Sequence, residues 1–184
     1  MIIAGTDIET TGLTYGDHRI VEVYIGLWDL DTRELVLELN ERVDPQRAID
    51  AKAQAVHGIT PAALIGKPTW DAVGPKVATV LDQAQVFVAH NDEFDYPFID
   101  YELRRIGLAG LNMPRFDTMT NGRWATPNGK VPNLGELCFA CGIDYDASKA
   151  HAAEYDVDRM MQCFFHAFDW GFFKLPEPSV RSAA

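Results

Sequence analysis

Apolar and polar positions alternate along the first quarter of the chain in a pattern that predicts three strands. Apolar residues 2–4 begin the first strand, residues 19–30 are rich in β-branched side chains, and residues 35–43 alternate more weakly. Turn-forming residues at 12–16 and 31–32 separate these segments. Because the connections are short, the pattern predicts an antiparallel meander.

The pattern becomes helical from residue 48. Residues 48–57 predict a short helix, residues 58–61 begin another, and residues 70–82 have the apolar spacing of a third. Residues 86–89 are wholly apolar, which is typical of a central strand buried on both faces. Since helices flank this strand, we expect it to run parallel to the first strand, and the fold class becomes α/β.

The remaining segments continue this alternation of helices and strands. We predict helices at 92–106, 134–141 and 152–172 and a short strand at 114–117. The chain has 184 residues, of which 47% are hydrophobic, and this length suits one domain. We therefore expect a single domain over residues 1–175, with a flexible tail over residues 176–184.

Charge and cysteine content restrict the classes of function. Sixteen Lys and Arg against 27 Asp and Glu give a net charge of −11, which argues against binding nucleic acid through a broad basic face. Three cysteines are typical of reduced thiols rather than a disulfide framework. No segment resembles a signal peptide or a membrane span, so we expect a cytoplasmic protein without a membrane partner.

The first candidate chemistry is a pair of acids at the end of the first predicted strand. Asp7 and Glu9 are two residues apart, so alternation places both carboxylates on one face, about 7 Å apart. Like charges at this distance favour a bound cation, although a strand end with ordinary surface acids has the same pattern. The small residues that follow, including Gly12, would let backbone amides approach a ligand.

A second acidic cluster follows the buried strand at 86–89. Open α/β sheets bind ligands at the carboxyl ends of such strands. Asn91 is a candidate N-cap, and Pro97 is tolerated only near the first turn of a helix, so Asp95 should lie in that turn and face the strand ends. The alternative is that these acids only stabilise the helix N-terminus.

The third cluster contains His151 and Asp156. In one regular helix, two residues five positions apart lie about 140° apart and cannot share a site. A helix that begins just after His151 would instead leave the histidine on a loop within reach of Asp156. A surface or core histidine remains the alternative.

In this order, the three clusters resemble a known family. The segments Asp7-Ile8-Glu9-Thr10-Thr11-Gly12, His90-Asn91-x-x-Phe94-Asp95 and His151-x4-Asp156 are similar to those of the DEDDh 3′-to-5′ exonucleases, which include the DNA polymerase III proofreading subunit, RNase T and oligoribonuclease. The resemblance extends over residues 2–170. It implies a ribonuclease-H-like α/β fold, in which helices cover both faces of a mixed five-stranded sheet.

The resemblance also implies roles for individual residues. Asp7, Glu9, Asp95 and Asp156 would hold two divalent ions, Mg²⁺ or Mn²⁺, and His151 would be the general base. Hard oxygen ligands select such ions, which would also neutralise the acidic site so that phosphate can bind. The family's substrate contacts correspond to Thr10, Thr11, Leu13, His57, Asn91 and Phe94, although Leu13 and Phe94 could equally be core residues.

The chain departs from the family pattern at Asp92 and Glu93, where small or neutral residues are usual. These acids raise the question of which carboxylate binds metal. Spacing to Phe94 favours Asp95 over Asp92, and the His-x4-Asp spacing favours Asp156 over Asp158.

The resemblance implies a metal-dependent 3′-to-5′ exonuclease that releases nucleoside 5′-monophosphates from the ends of single-stranded DNA or RNA by a two-metal-ion mechanism. Two alternatives remain: an RNA trimmer or oligoribonuclease-like scavenger, and a noncatalytic nucleic-acid-binding or assembly module of a replication complex. The last predicted helix carries a wide apolar arc, which could be core or could contact a second copy of the chain or a polymerase. Cys138 and Cys141 lack a second pair, which favours buried thiols over a zinc site.

Overall fold

The computed structural model of the protein describes residues 1–176, and a five-stranded mixed sheet forms its centre. The strands are β1 (Ile2–Thr10), β2 (Ile20–Asp29), β3 (Leu35–Arg42), β4 (Val86–Ala89) and β5 (Arg115–Asp117), in the order β3-β2-β1-β4-β5. The three N-terminal strands pair antiparallel, and β1, β4 and β5 pair parallel. This topology confirms the predicted α/β class.

Within residues 1–176, six α-helices connect or follow the strands. They are α1 (Ala51–His57), α2 (Trp70–Leu81), α3 (Asp92–Arg105), α4 (Thr118–Asn121), α5 (Leu134–Cys141) and α6 (Ala153–Asp169), with 3₁₀ turns at Pro61–Leu64 and Gly122–Ala125. The last helix ends three residues earlier than predicted. Gly171 adopts a left-handed φ of 77°, and the Phe172 N–H bonds back to the Ala167 carbonyl, which closes the helix.

The helices cover both faces of the sheet, as predicted. Ile3 of β1 packs in the cluster that contains α5 and α6, whereas Ala4 and Ile8 pack in the cluster that contains α2 and α3. Since side chains alternate along a strand, Asp7 and Glu9 lie on the same face as Ile3. The first acidic pair therefore belongs to the α6 side of the sheet.

Gly5 lets α6 lie directly on β1. A Cβ atom at Gly5 would come within 2.8 Å of both Met161 and Trp28, so a larger residue would push α6 away from the strand. Asp156 precedes Met161 by about 7.5 Å along the helix, and Asp7 follows Gly5 by about 7 Å along the strand. This close contact therefore carries Asp156 toward the first acidic pair.

The apolar arc of α6 is largely core. Val157, Met160, Met161 and Phe164 are buried because the sheet packs on one side of the helix and α5 on another. Packing within the chain therefore explains the apolar arc, and no contact with a second copy is needed to account for it. Cys138 and Cys141 are free, buried thiols, as predicted.

Among residues 1–176, no helix is long and apolar enough to cross a membrane. The predicted tail falls outside the described residues except for Pro176.

Candidate active site

The three clusters that the sequence singled out meet in one cleft. Its volume is about 460 Å³, and it lies where β1 ends and α3 begins. The lining includes all five residues expected to act in catalysis, namely Asp7, Glu9, Asp95, His151 and Asp156. These residues come from distant parts of the chain, and the parallel pairing of β1 with β4 is what brings the first two clusters together.

Asp95 is fixed to the first strand by a direct hydrogen bond. It lies in the first turn of α3, as predicted, is 3% exposed, and accepts a bond from the Ile8 N–H at 3.1 Å. Asp92 turns away toward Arg115, with 3.5 Å between its carboxylate and the guanidinium, and neither Asp92 nor Glu93 lines the cleft. The structure thus places Asp95, and not the neighbouring acids, in the candidate site.

The chain enters α3 through an unusual backbone conformation at Asn91. Asn91 has a left-handed φ of 94°, and although it occupies the N-cap position, its side chain makes no capping hydrogen bond. Its backbone N–H donates instead to the Asp117 carboxylate at 2.9 Å, and this carboxylate also accepts from the Met119 N–H. Strain of this kind concentrates at functional sites, and Asn91 lines the cleft.

Asp156 is held through both of its carboxylate oxygens. Oδ2 accepts a hydrogen bond from the His151 backbone N–H at 2.7 Å, and Oδ1 accepts one from the Tyr145 hydroxyl at 3.3 Å. His151 has a φ of 63° and precedes α6, so it lies on the loop that the spacing predicted. Asp158 pairs with Arg159 at 2.7 Å and does not line the cleft.

Burial raises the pKa of all four carboxylates, and neighbouring negative charges add to the rise at Asp7 and Glu9. Burial, followed by the charges of Asp95, Glu9 and Asp156, raises the pKa of Asp7 well above its ordinary value. The pKa of Glu9 rises to about 8, mainly through burial and then through the charge of Glu22. Burial also raises the pKa of both Asp95 and Asp156.

Glu22 is a fifth acid beside the site. It pairs with Glu9 across β1 and β2 and is 8% exposed, but the Arg42 guanidinium lies 2.9 Å from its carboxylate. Its second oxygen accepts from the Ala153 N–H at 3.5 Å, at the start of α6. Glu22 therefore connects the sheet to the helix that carries Asp156.

The donor set fits divalent cations in its chemistry. Clustered carboxylate oxygens are the ligands that Mg²⁺ and Mn²⁺ prefer, and a bound cation would stabilise the ionised carboxylates that burial disfavours. Among residues 1–176, no three His, Cys, Asp or Glu side chains are already arranged at metal-coordinating spacing. Asp156 is instead engaged by Tyr145 and His151.

Two apolar side chains project into the cleft. Leu13 is 84% exposed, which excludes a core role, and Phe94 is half-buried with its ring 5.0 Å from that of Phe98. Both line the cleft. They are therefore available to contact a bound ligand.

The remaining predicted contacts differ in their surroundings. Thr10 lines the cleft, and its hydroxyl donates to the Gly12 carbonyl at 2.6 Å. His57 also lines it, with Nδ1 accepting from the Ile59 N–H and Nε2 therefore donating to the Thr10 carbonyl. Burial lowers the pKa of His57.

Thr11 is the exception among the predicted substrate contacts. It is fully buried, lies outside the cleft lining, and accepts from the Arg19 N–H at 3.1 Å. Strict alternation would place Thr11 on the face of Asp7 and Glu9, but the pairing register shifts between Glu9 and Thr10 and β1 ends at Thr10, so Thr11 no longer follows that pattern. The Thr11 side chain therefore holds the turn after β1 and is not placed to contact a substrate in the cleft, contrary to the expectation from the sequence.

Comparison with known proteins assigns the class. The RNase_T exonuclease family model matches residues 5–164. The chain therefore belongs to this family of hydrolases, and the resemblance to DEDDh 3′-to-5′ exonucleases is confirmed.

Similar proteins include DNA polymerase III subunit epsilon from two bacteria. The Pasteurella multocida subunit is 32% identical over 162 residues, covering 83% of this chain and 62% of the relative. The Escherichia coli subunit is 30% identical over 168 residues, covering 86% of this chain and 68% of the relative. The chain thus spans about two thirds of the length of these relatives.

Solved exonuclease structures share the fold. E. coli exonuclease I in complex with a dT13 oligonucleotide superposes with a TM-score of 0.79 at 17% identity, over 93% of this chain and 43% of that one. The nuclease domain of 3′hExo, a DEDDh family member bound to rAMP, gives a TM-score of 0.74 at 15% identity, over 96% of both chains. These likenesses show the fold, including the mixed sheet.

Proposed function

We propose that the protein is a metal-dependent 3′-to-5′ exonuclease that removes nucleoside 5′-monophosphates from single-stranded DNA. The observation that carries this proposal is the meeting of four carboxylates and His151 in one open cleft. The choice of DNA is supported by the DNA polymerase III relatives and by the dT13 complex of exonuclease I.

The proposed roles follow from the placement of each side chain. Asp7, Glu9, Asp95 and Asp156 would hold two Mg²⁺ or Mn²⁺ ions. When bound, such ions lower the pKa of water and stabilise the charge on the attacking and leaving oxygens of an in-line displacement.

His151 is the candidate general base. It is exposed on the loop before α6 and lines the same cleft as the carboxylates. A neutral imidazole there can take a proton from the attacking water, an effect typically worth about 10²- to 10⁴-fold in rate. Its backbone bond to Asp156 leaves the ring free for this task.

The apolar side chains suit a single strand. Leu13 and Phe94 present their surfaces to the cleft without fixed polar partners, and contacts between bases and apolar or aromatic side chains tolerate any base sequence. A paired base would already be stacked and hydrogen-bonded to its own complement. We therefore expect single-stranded ends to be preferred.

A digestion assay tests this function. Oligonucleotides labelled at the 5′ end, one of DNA and one of RNA with the same sequence, are incubated with the protein in Mn²⁺, in Mg²⁺ and in a chelator. We expect a metal-dependent ladder that shortens from the 3′ end, and faster cleavage of DNA. Faster cleavage of RNA would instead favour an RNA trimmer, the alternative that the rAMP complex of 3′hExo supports. Binding of the oligonucleotide without turnover would favour the noncatalytic module.

The names of the relatives also support a proposal about assembly. Subunit epsilon is named as a subunit of DNA polymerase III, and PolC-type relatives match this chain over only about 10% of their length. A polymerase is therefore the partner that we propose.

Tyr145 offers a test of how Asp156 is oriented. Tyr145→Phe removes one of the two donors to the Asp156 carboxylate while keeping the ring. Loss of a hydrogen bond to a metal-binding side chain typically costs about 10- to 100-fold in metal affinity or activity. We expect the Mn²⁺ concentration for half-maximal activity to rise about tenfold.

The control for this variant is Tyr101→Phe, which removes a hydroxyl from a ring that packs against Tyr15. Its Mn²⁺ dependence should equal that of the wild type. If Tyr145→Phe also keeps the wild-type dependence, the His151 backbone N–H alone would be sufficient to orient Asp156.

A further inference from the structure

The candidate site is strongly acidic, yet its proposed substrate carries a negative charge on every nucleotide. Five acids line the cleft: Asp7, Glu9, Asp50, Asp95 and Asp156. Divalent ions can offset the charge of the four clustered carboxylates, but they act at the bond that is cleaved. A phosphate farther along the strand needs another positive group.

Lys52 is the sole lysine or arginine among the described residues that line the cleft. It is exposed in the first turn of α1, and no described carboxylate lies within ion-pair distance of its ammonium group. Arg42 and Arg115 do not line the cleft, and each is paired with an acid: Arg42 with Glu22 and Arg115 with Asp92. The charge of Lys52 is therefore available to a ligand.

Helix α1 is unusual because none of its residues is buried. A surface helix normally buries an apolar stripe against the core. Here Val56, one turn after Lys52 on the same face, is 55% exposed and lines the cleft together with Leu13. The apolar surface of α1 thus faces the open cleft instead of the core.

We propose that α1 binds the nucleotide immediately 5′ of the bond that is cleaved, with Lys52 contacting its phosphate and Val56 and Leu13 contacting its base. This inference rests on the proposed exonuclease function and adds a specificity-determining surface to it. An ammonium group is a compact charge that suits a phosphate oxygen. Apolar contact with the base would leave the surface tolerant of sequence.

Two substrates separate this surface from the catalytic centre. One is a single-stranded thymidine oligonucleotide, and the other is the 4-nitrophenyl ester of thymidine 5′-monophosphate, in which nitrophenolate replaces the upstream nucleotide as the leaving group. The measured quantity is the specificity ratio, kcat/KM on the oligonucleotide divided by kcat/KM on the ester. Because the ester lacks the upstream phosphate and base, loss of an upstream contact lowers this ratio.

We expect Lys52→Ala to lower the specificity ratio about five- to tenfold at low salt and Lys52→Glu to lower it further. Each phosphate contact with single-stranded nucleic acid contributes about 0.7 to the slope of log affinity against log salt. The salt slope of log KM for the oligonucleotide should therefore fall by about 0.7 in Lys52→Ala. Val56→Ala should lower the ratio without changing this slope.

The matched control is Lys174→Ala, which removes the same charge from an exposed lysine beyond α6. The length of α6, about 25 Å, separates this part of the chain from the cleft. Its specificity ratio and salt slope should equal those of the wild type.

The possible failures are distinct. If Lys52→Ala keeps the wild-type ratio and salt slope, the inference is wrong while the proposed function stands. If it lowers kcat/KM equally on both substrates, Lys52 supports the catalytic centre and the inference is again wrong. A wild-type protein that cleaves neither substrate would overturn the proposed function and this inference with it.

Discussion

Asp7→Asn should abolish nuclease activity and at the same time stabilise the metal-free protein. The ionised carboxylate of Asp7 is destabilised in the fold by burial and by four neighbouring acids, as its raised pKa indicates. Asparagine keeps the shape but removes the charge. We expect activity to fall on the order of 10³-fold, because metal-ion catalysis supplies several kcal/mol, and the free energy of unfolding to rise by about 0.5–2 kcal/mol.

The pH dependence follows from the raised pKa values. A carboxyl group with a raised pKa binds more protons in the folded than in the unfolded state, so stability falls as pH rises. For Glu9, the pH range over which this stability is lost extends from its ordinary pKa near 4.5 to its raised pKa of about 8. The raised pKa of Asp7 has the same sign, so the advantage of Asp7→Asn in a chelator should grow as the pH rises through that pKa and should shrink as the pH falls.

Thermal unfolding at pH 8.5, in a chelator and in Mn²⁺, measures the difference in stability between the wild type and Asp7→Asn. Manganese should stabilise the wild type more than Asp7→Asn, because a ligand that binds only the folded state raises its stability. The control Asp158→Asn changes an exposed acid outside the cleft and should keep both activity and the response to Mn²⁺. If Asp7→Asn destabilises the metal-free protein, repulsion among the acids does not dominate the energetics of the site.

Periodicity predicted most of the fold because the elements of the sheet have clear local patterns. Residues 86–89 are wholly apolar, and in the structure all four are buried. The position of Pro97 placed Asp95 in the first helical turn, where the structure has it. Short segments were harder to predict from the sequence. Helix α4 is only four residues long, and the Asp117 carboxylate that caps it comes from the end of a strand.

The sequence located the candidate site but not the groups that position it. The acids could be identified from the sequence because each lies at a predictable strand end or helix start. Tyr145 was not, because its contact with Asp156 depends on an irregular segment between α5 and α6. Lys52 was also missed, since a lysine on a short helix has no local pattern that distinguishes it from a solvated surface residue. The left-handed backbone of Asn91 likewise replaced the expected side-chain cap.

His151→Asn should reduce kcat by about 10²- to 10⁴-fold, the usual contribution of a general base. Asparagine is suitable because His151 has a φ of 63°, and among residues other than glycine, asparagine tolerates this left-handed region well. The backbone N–H that bonds Asp156 remains in the variant. The candidate metal ligands should therefore keep their positions, and thermal stabilisation by Mn²⁺ and oligonucleotide binding should match the wild type.

Single-turnover kinetics with saturating Mn²⁺ separate this chemical defect from weaker binding. The control His166→Asn changes an exposed histidine near the C-terminal end of α6, where it packs against Trp170, and should keep wild-type kcat. If His151→Asn retains kcat within about threefold, a group other than His151 must accept the proton from water. If it also loses the stabilisation by Mn²⁺, His151 acts on Asp156 and the metals rather than on water, because a base that only removes a proton leaves metal affinity intact.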